Sequence, residues 1–265
     1  MWWVEYSLSI GVETVKWRLI VDKGHDLYWN MAFDEAMLLL REQDKIPNTV
    51  RLYYFSPSSI TIGYFQRIRD VVNLDFAEEK GIPYTRRITG GGAVYHDENG
   101  EITYSVIALL EDFPSDVIER YRYICSALIK ALEKLGLNPV FKPVNDILVN
   151  NKKISGSAQT WRRKAFLQHG TLMYATDLDI LANSLKPPRE KLESHGVKSI
   201  RERVTTVSIE LGRRVSRDEV IEALIYGFKK AFQVDLEPSD PTHEEIELTN
   251  RLREKYVSRE WIFRK

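Results

Sequence analysis

The segment Arg86-Arg87-Ile88-Thr89-Gly90-Gly91-Gly92-Ala93-Val94-Tyr95-His96-Asp97 does most to narrow what this chain can become. Three consecutive glycines strip the main chain of side chains just before a run with strand character, so the backbone there can approach a ligand closely. Successive N–H groups can form a nest for phosphate oxygens, and an adjacent arginine adds charge and a bidentate fork. A tight turn uses the same glycines, and it is the arginine pair that shifts the balance toward a ligand site. Arg86 and Arg87 alternate across a strand, so only one of them needs to face that ligand. The glycines do not form the strand-to-helix turn of a P-loop or a dinucleotide-binding fold, which excludes both.

Strand and helix signals follow one another irregularly around this segment. Lys16 to Val21 reads as a strand feeding a helix over Tyr28 to Glu42, with Met31, Phe33, Ala36, Leu38 and Leu39 at helical spacing. Thr49 to Phe55 and Ser59 to Phe65, parted by Ser56-Pro57-Ser58, predict a hairpin. A short helix over Asp75 to Lys80 stops at Gly81, and a long one over Ser115 to Leu135 stops at Gly136, with a strand over Ile102 to Leu110 between them. Ile147 to Val149 enters an Asn150-Asn151 turn and returns through Ile154 to Trp161. Phe166 to Tyr174 is a further strand, followed by a small helix near Asp177 to Leu185 that ends before Pro187. Residues 186 to 204, broken by Pro187, Pro188 and Gly196, predict a long surface loop of the kind that covers a functional site. Ser216 with Glu219 three residues on is a capping-box pattern for a helix running through Phe232, and Thr242 to Tyr256 is the last helix. Neither a repeat nor a linker interrupts this order, which predicts one α+β domain over residues 1–265. It comprises an N-terminal extension (1–15), a core with the motifs (16–210) and a C-terminal helical part (211–265).

A second segment, Asn145-Asp146-Ile147-Leu148-Val149-Asn150-Asn151-Lys152-Lys153-Ile154-Ser155-Gly156-Ser157-Ala158, folds a carboxylate back toward two lysines. Asp146 has the chemistry to hold Mg²⁺, and Lys153 to neutralise charge developing on a phosphate or carbonyl oxygen. A lysine pair beside a hairpin turn is ordinarily solvated. Lys153 is set apart by the small, glycine-interrupted run that follows it, which outlines a groove rather than a packing surface. His169 before Gly170 lines a cavity or serves as a satisfied structural histidine. His96 and Asp97, with no other His or Cys at ligand spacing, do not make a zinc site and are read as ending a strand.

Composition removes several alternatives. With 43% hydrophobic and 11% aromatic residues the chain can bury a sizeable core. Lys plus Arg and Asp plus Glu are both 38, so no overall basic field exists to gather nucleic acid. Cys125, the single cysteine, lies in a helical run and reads as a small buried hydrophobe. The N-terminus lacks the pattern of a signal peptide and no apolar run reaches the roughly 18 residues of a membrane span, so a cytoplasmic protein with no membrane association is expected.

The two segments, with Asn30-Met31-Ala32-Phe33-Asp34-Glu35, His169-Gly170-Thr171-Leu172 and Ser199-Ile200-Arg201-Glu202-Arg203-Val204, resemble the lipoate-protein ligase family over most of residues 16 to 210. The resemblance implies a biotin/lipoate-ligase-type catalytic domain, a curved mixed β-sheet flanked by helices. It implies an ATP- and Mg²⁺-dependent ligase that activates lipoate to lipoyl-AMP and passes the lipoyl group to a carrier lysine. The carriers implied are lipoyl domains of 2-oxoacid dehydrogenase complexes or the glycine cleavage H protein. By the same resemblance Arg87, Gly92, Ala93, Val94 and Tyr95 bind ATP and the acyl-adenylate, Lys153 contacts both phosphate and acyl group, His169 borders the acyl pocket and Asp146 lies near Mg²⁺. The short C-terminus resembles members whose accessory domain is a separate subunit, so adenylate formation is expected to need a partner. Three other readings stand beside it, of which a biotin ligase ranks low because it is expected to show an arginine-glycine alternation in place of Thr89-Gly90-Gly91-Gly92-Ala93. An octanoyl or lipoyl transferase acting without ATP usually forms an acyl-cysteine, and Cys125 looks like packing. A non-catalytic module that binds a lipoyl domain or an adenylate has no use for Lys153.

Overall fold

Strands buried on both faces set the architecture. The computed structural model describes residues 15–186 and 200–264, so the expected N-terminal extension and most of the expected covering loop lie outside the described residues. In chain order the strands are β1 (Lys16–Val21), β2 (Thr49–Tyr53), β3 (Ser59–Ile62), β4 (Tyr84–Arg86), β5 (Val94–His96), β6 (Glu101–Leu109), β7 (Val140–Lys142), β8 (Asp146–Val149), β9 (Lys152–Arg162), β10 (Ala165–Met173) and β11 (Asp235–Pro238). Eight form one sheet in the order β11-β1-β2-β6-β10-β9-β8-β7, and β4-β3-β5 form a smaller one. β1 runs parallel to β11 and β2, and from β2 to β7 every pairing is antiparallel. This is the mixed sheet and α+β class that the sequence predicts.

The period of two along each strand separates two chemistries. Val50, Leu52, Ile102, Tyr104, Val106 and Phe166 enter one core with Ile124 and Leu128 of the helix Val117–Lys134 and Leu224 and Phe228 of the helix Arg217–Phe232. On the other face Ile107 and Leu167 pack against Phe33, Met37 and Leu40 of α1 (Leu27–Glu42). That face also carries Arg51, Thr103, Ser105 and His169, all buried polar groups. A second apolar cluster joins the small sheet, through Ile60, Ile62 and Tyr95, to Met173, Leu181 and Val204.

The expected hairpin of residues 49–55 with 59–65 does not form. β2 is already flanked by β1 and β6, so it has no free edge for β3, and after Ser56-Pro57-Ser58 the chain enters the small sheet instead. The chain does break at Ser56-Pro57-Ser58, but the strand beyond it pairs with β4 and β5. At Asn150 and Asn151, φ of 49° and 63° give the left-handed pair that joins β8 to β9. Ser216 accepts from the Glu219 N–H, but the Glu219 carboxylate pairs with Arg213, so the reciprocal box is half made. It is complete at Thr242 and Glu245, where Glu245 also takes a buried ion pair from Arg18 of β1. Residues 200–203, expected in a loop, form a helical turn. No described helix is long and apolar enough to cross a membrane.

The two helices on the apolar face touch at Gly227. A Cβ built there would lie 2.1 Å from the Ala127 carbonyl oxygen, a main-chain atom that cannot swing aside. Gly227→Ala is expected to destabilise the chain by about 2 kcal/mol or more through overpacking, read as a lower urea midpoint at unchanged slope. An unchanged midpoint would show that the helices separate freely.

Candidate active site

Lys153 reaches the site because its strand is irregular. On β9, Ser155 pairs with Ile147 and Lys153 with Leu148, which leaves Ile154 as an extra residue. Ile154 packs into the helix-side core. Strict alternation back from Gly156 would send Lys153 to that side, and the bulge returns it to the opposite face. Its Nζ lies 2.6 Å from Asp146 Oδ1. The stem arches over Gly156, where an added Cβ would meet Nζ at 2.4 Å, so glycine is what lets the ammonium lie down on the strand. The main chain of Lys153 accepts from the Thr205 N–H at 2.9 Å, tying the segment after residue 203 to the same point.

Of the two arginines, Arg87 faces the site. Arg86 points the other way and donates to six main-chain carbonyls, of Gly63, Tyr64, Gln66, Trp261, Ile262 and Arg264, so it staples the C-terminal segment to the loop after β3. Arg87 is buried among uncharged partners. Its guanidinium donates to the carbonyls of Gly90 at 2.6 Å and Gly92 at 2.8 Å, which shapes the glycine loop from within. Gly63 lets that loop come close, since a Cβ there would lie 2.1 Å from the Gly91 oxygen. Burial pushes the Arg87 pKa down to about 10, and the group stays charged at neutral pH.

Two hydrogen-bonded arms leave Arg87. In the first, Nε donates to Thr89 Oγ1 at 2.9 Å, Thr89 bonds His169 Nε2 at 2.7 Å, and His169 Nδ1 bonds Asp34 Oδ2 at 2.9 Å. In the second, Nη1 donates to Thr61 Oγ1 at 3.3 Å, Thr61 bonds His96 Nε2 at 2.9 Å, and His96 Nδ1 bonds Glu101 Oε1 at 2.9 Å. A carboxylate only accepts, so each histidine carries a proton on Nδ1, and a ring in the neutral form accepts the threonine hydroxyl at Nε2.

A cavity of about 450 Å³ is lined by Arg87, the residues from Gly91 to Tyr95, Asp146, Lys153 and His169. Arg87, Gly92, Ala93, Val94, Tyr95, Asp146, Lys153 and His169, to which the resemblance assigns roles, therefore line one cavity, whereas Arg86 and Cys125 do not. Asp146 is engaged by Lys153, and the described residues include no group of three or more side chains able to hold a metal ion. His96 does end its strand, as read from the sequence, but it also lines the cavity, as do Thr61, Glu101 and Thr103, which the sequence reading passed over. A signal existed: on β6, Glu101, Thr103 and Ser105 alternate with apolar residues, and here the polar side of a strand faces inward.

Burial outweighs the hydrogen bond that His169 donates to Asp34 and lowers the His169 pKa below 6.5, leaving a neutral imidazole. Burial alone would raise the Asp34 carboxyl, but hydrogen bonds from His169 and Ser105 and the Arg51 charge hold it below 3.8. Both folded values lie below the unfolded ones, so on acidification the unfolded chain takes up protons that the folded chain refuses. Stability is therefore expected to fall as pH drops below about 6.5, with a further loss as Asp34 is protonated. The urea midpoint should decline between about pH 8 and pH 5, less steeply in His169→Gln; a flat profile would contradict the assignment.

Residues 26–229 match the lipoyl protein ligase A/B catalytic domain family. An octanoyltransferase LipM of Brevibacillus brevis is 35% identical, covering 94% of this chain and 99% of its own. Relatives with the same name from other bacteria match over nearly all of their length. Among solved structures, a bi-partite lipoate protein ligase from Thermoplasma acidophilum, described with its E2 lipoyl domain, superposes with a TM-score of 0.82 at 34% identity, over 94% of this chain and 96% of that one. A lipoate-protein ligase A bound with ATP gives 0.79 at 33% identity, over 94% and 98%. The relatives named octanoyltransferase correct the expectation of an ATP-dependent lipoate ligase: the family includes both activities, and the end-to-end curated relatives lie on the transferase side. A buried arginine beside a glycine loop and a lysine ammonium can face negative charge in a reaction that activates its acyl group or in one that receives it activated, so these motifs alone do not separate the two. The chain is an enzyme of the lipoyl protein ligase A/B catalytic domain family, with that family's α+β fold.

Proposed function

We propose that this chain transfers an octanoyl-class acyl group from an already activated donor, a thioester, to a lysine amine on a carrier domain, without consuming ATP. The observation that carries this reading is the end-to-end likeness to octanoyltransferases. The carrier class is taken from the Thermoplasma protein described with its E2 lipoyl domain, so the acceptor in this reading is a lipoyl domain.

The cavity suits such a reaction. Met173, Leu181, Leu185 and Val71 supply apolar wall for an alkyl chain. Arg87 and the open main chain from Gly91 to Tyr95 hold the polar part of the donor, and neutral His169 borders the acyl chain. When the carrier amine attacks the carbonyl carbon, negative charge gathers on its oxygen, and the Lys153 ammonium stabilises that charge. The C–N bond forms, the C–S bond breaks, and the thiolate leaves with the proton that the amine gives up. Cys125 takes no part in this account. It is fully buried, and burial pushes its thiol up to about 11, so little thiolate exists at neutral pH.

The deciding assay incubates the protein with an octanoyl thioester and a lipoyl domain and reads the carrier mass. One octanoyl group added without nucleotide is expected; modification seen only with octanoate, ATP and Mg²⁺ overturns the proposal. Lys153→Ala should lower the transfer rate by on the order of 10² to 10³ with the fold intact, the scale for removing one charge stabiliser. Gly156→Ala, which displaces the same ammonium, should slow transfer by about tenfold or more while Lys153 remains. Cys125→Ser should keep most of the activity, and a stable octanoyl adduct on Cys125 of the native protein would sink the direct route.

A further inference from the structure

We infer that Thr61, His96 and Glu101 form a second positioning arm for Arg87, and that this arm and the Thr89-His169-Asp34 arm act jointly to fix the guanidinium and the glycine loop it holds. The inference rests on the transfer reading for its kinetic consequence, and on geometry alone for its structural one.

The two arms have the same order of parts. Each begins at a different nitrogen of Arg87, passes through a threonine hydroxyl and a histidine, and ends on a buried carboxylate. They start from different places: Thr89 and His169 lie on the loop after β4 and on β10, while Thr61 and His96 lie diagonally across β3 and β5 of the small sheet, one pairing with Val94 and the other with Ser59. A guanidinium is planar, so holding Nε and Nη1 from two sides fixes both its position and its rotation. With those two nitrogens fixed, Nη2 can only point at the carbonyls of Gly90 and Gly92. No carboxylate lies within ion-pair distance of Arg87 among the described residues, so no stronger contact substitutes for the arms.

The far ends are anchored as well. Thr103 donates to Glu101 Oε1 at 2.6 Å, and Asp34 accepts from Tyr53 at 3.0 Å and from Ser105 at 2.8 Å. None of these hydroxyls is equipped as a nucleophile. Thr61 and Thr89 each accept from Arg87 while donating to a histidine, and both are sealed, at 1% and 0% exposure. They act through Arg87, as positioning residues.

With one arm cut, the other still holds the guanidinium; with both cut, it rotates and releases the loop. The test compares Thr61→Val, Thr89→Val and the double variant by two readouts. Hydrogen exchange of the peptide spanning residues 86–97 should rise slightly in each single variant and steeply in the double. The value of kcat for acyl transfer should fall about threefold in each single variant and on the order of 10² in the double, well beyond the product of the singles. Thr61→Ser and Thr89→Ser keep the hydroxyl and should restore both readouts, which a mere packing defect would not allow. If the double variant fails to fold, Glu101→Gln with Thr89→Val gives the same comparison. A double variant equal to the product of the singles, or loop exchange that stays at the native rate, overturns the inference. Absence of transfer by the native protein would defeat the functional reading, and the exchange measurement would still decide the arms.

Discussion

Arg87 is the group on which the site depends, because a buried guanidinium without an adjacent carboxylate is costly unless its surroundings balance it. The balance is delivered at a distance. Arg51 is shared between Asp22, at 2.6 Å, and Asp34, at 2.9 Å, so two carboxylates face one cation at that end. His169 and Thr89 connect this acidic end to Arg87, and His96 and Thr61 connect Glu101 in the same way. Polar groups in a low-dielectric interior polarise one another along such chains, so leaving any member unpaired is expensive. The network therefore ties α1, β2, β6 and β10 of the large sheet to β3 and β5 of the small one.

Lys153 has the opposite character. It is partly exposed, its ion pair with Asp146 is open to solvent, and its position is set by backbone geometry instead of burial. A bulge at Ile154 chooses the face and a glycine at 156 leaves the space. The site thus combines a buried cation that shapes the glycine loop with a second, partly exposed one paired to Asp146.

Much of this was legible beforehand. Local signals found the long helices and strands, the paired asparagines of the β8 to β9 turn and the boundary at Gly81, because φ preference and side-chain period act over a few residues. The motifs placed Arg87, the glycine loop, Lys153 and His169 in one site, and the structure brings them to one cavity. The reaction was another matter. The same residues suit activation by ATP and transfer from a ready donor, and likeness to octanoyltransferases over 94% of the chain favours the second.

By itself, then, the sequence determined the class of fold, the elements and the identity of the central residues, since these follow from periodicity and from residue chemistry at short range. Tertiary structure alone decided which arginine turns inward, that β2 and β3 part into different sheets, and that Lys153 escapes the alternation of its own strand. It also decided that Asp34 and His169, 135 residues apart, and Thr61 and His96, 35 apart, meet as the ends and middles of two arms. Contacts of that span depend on how two sheets and a helix pack around one buried charge, and no local spacing carries that information.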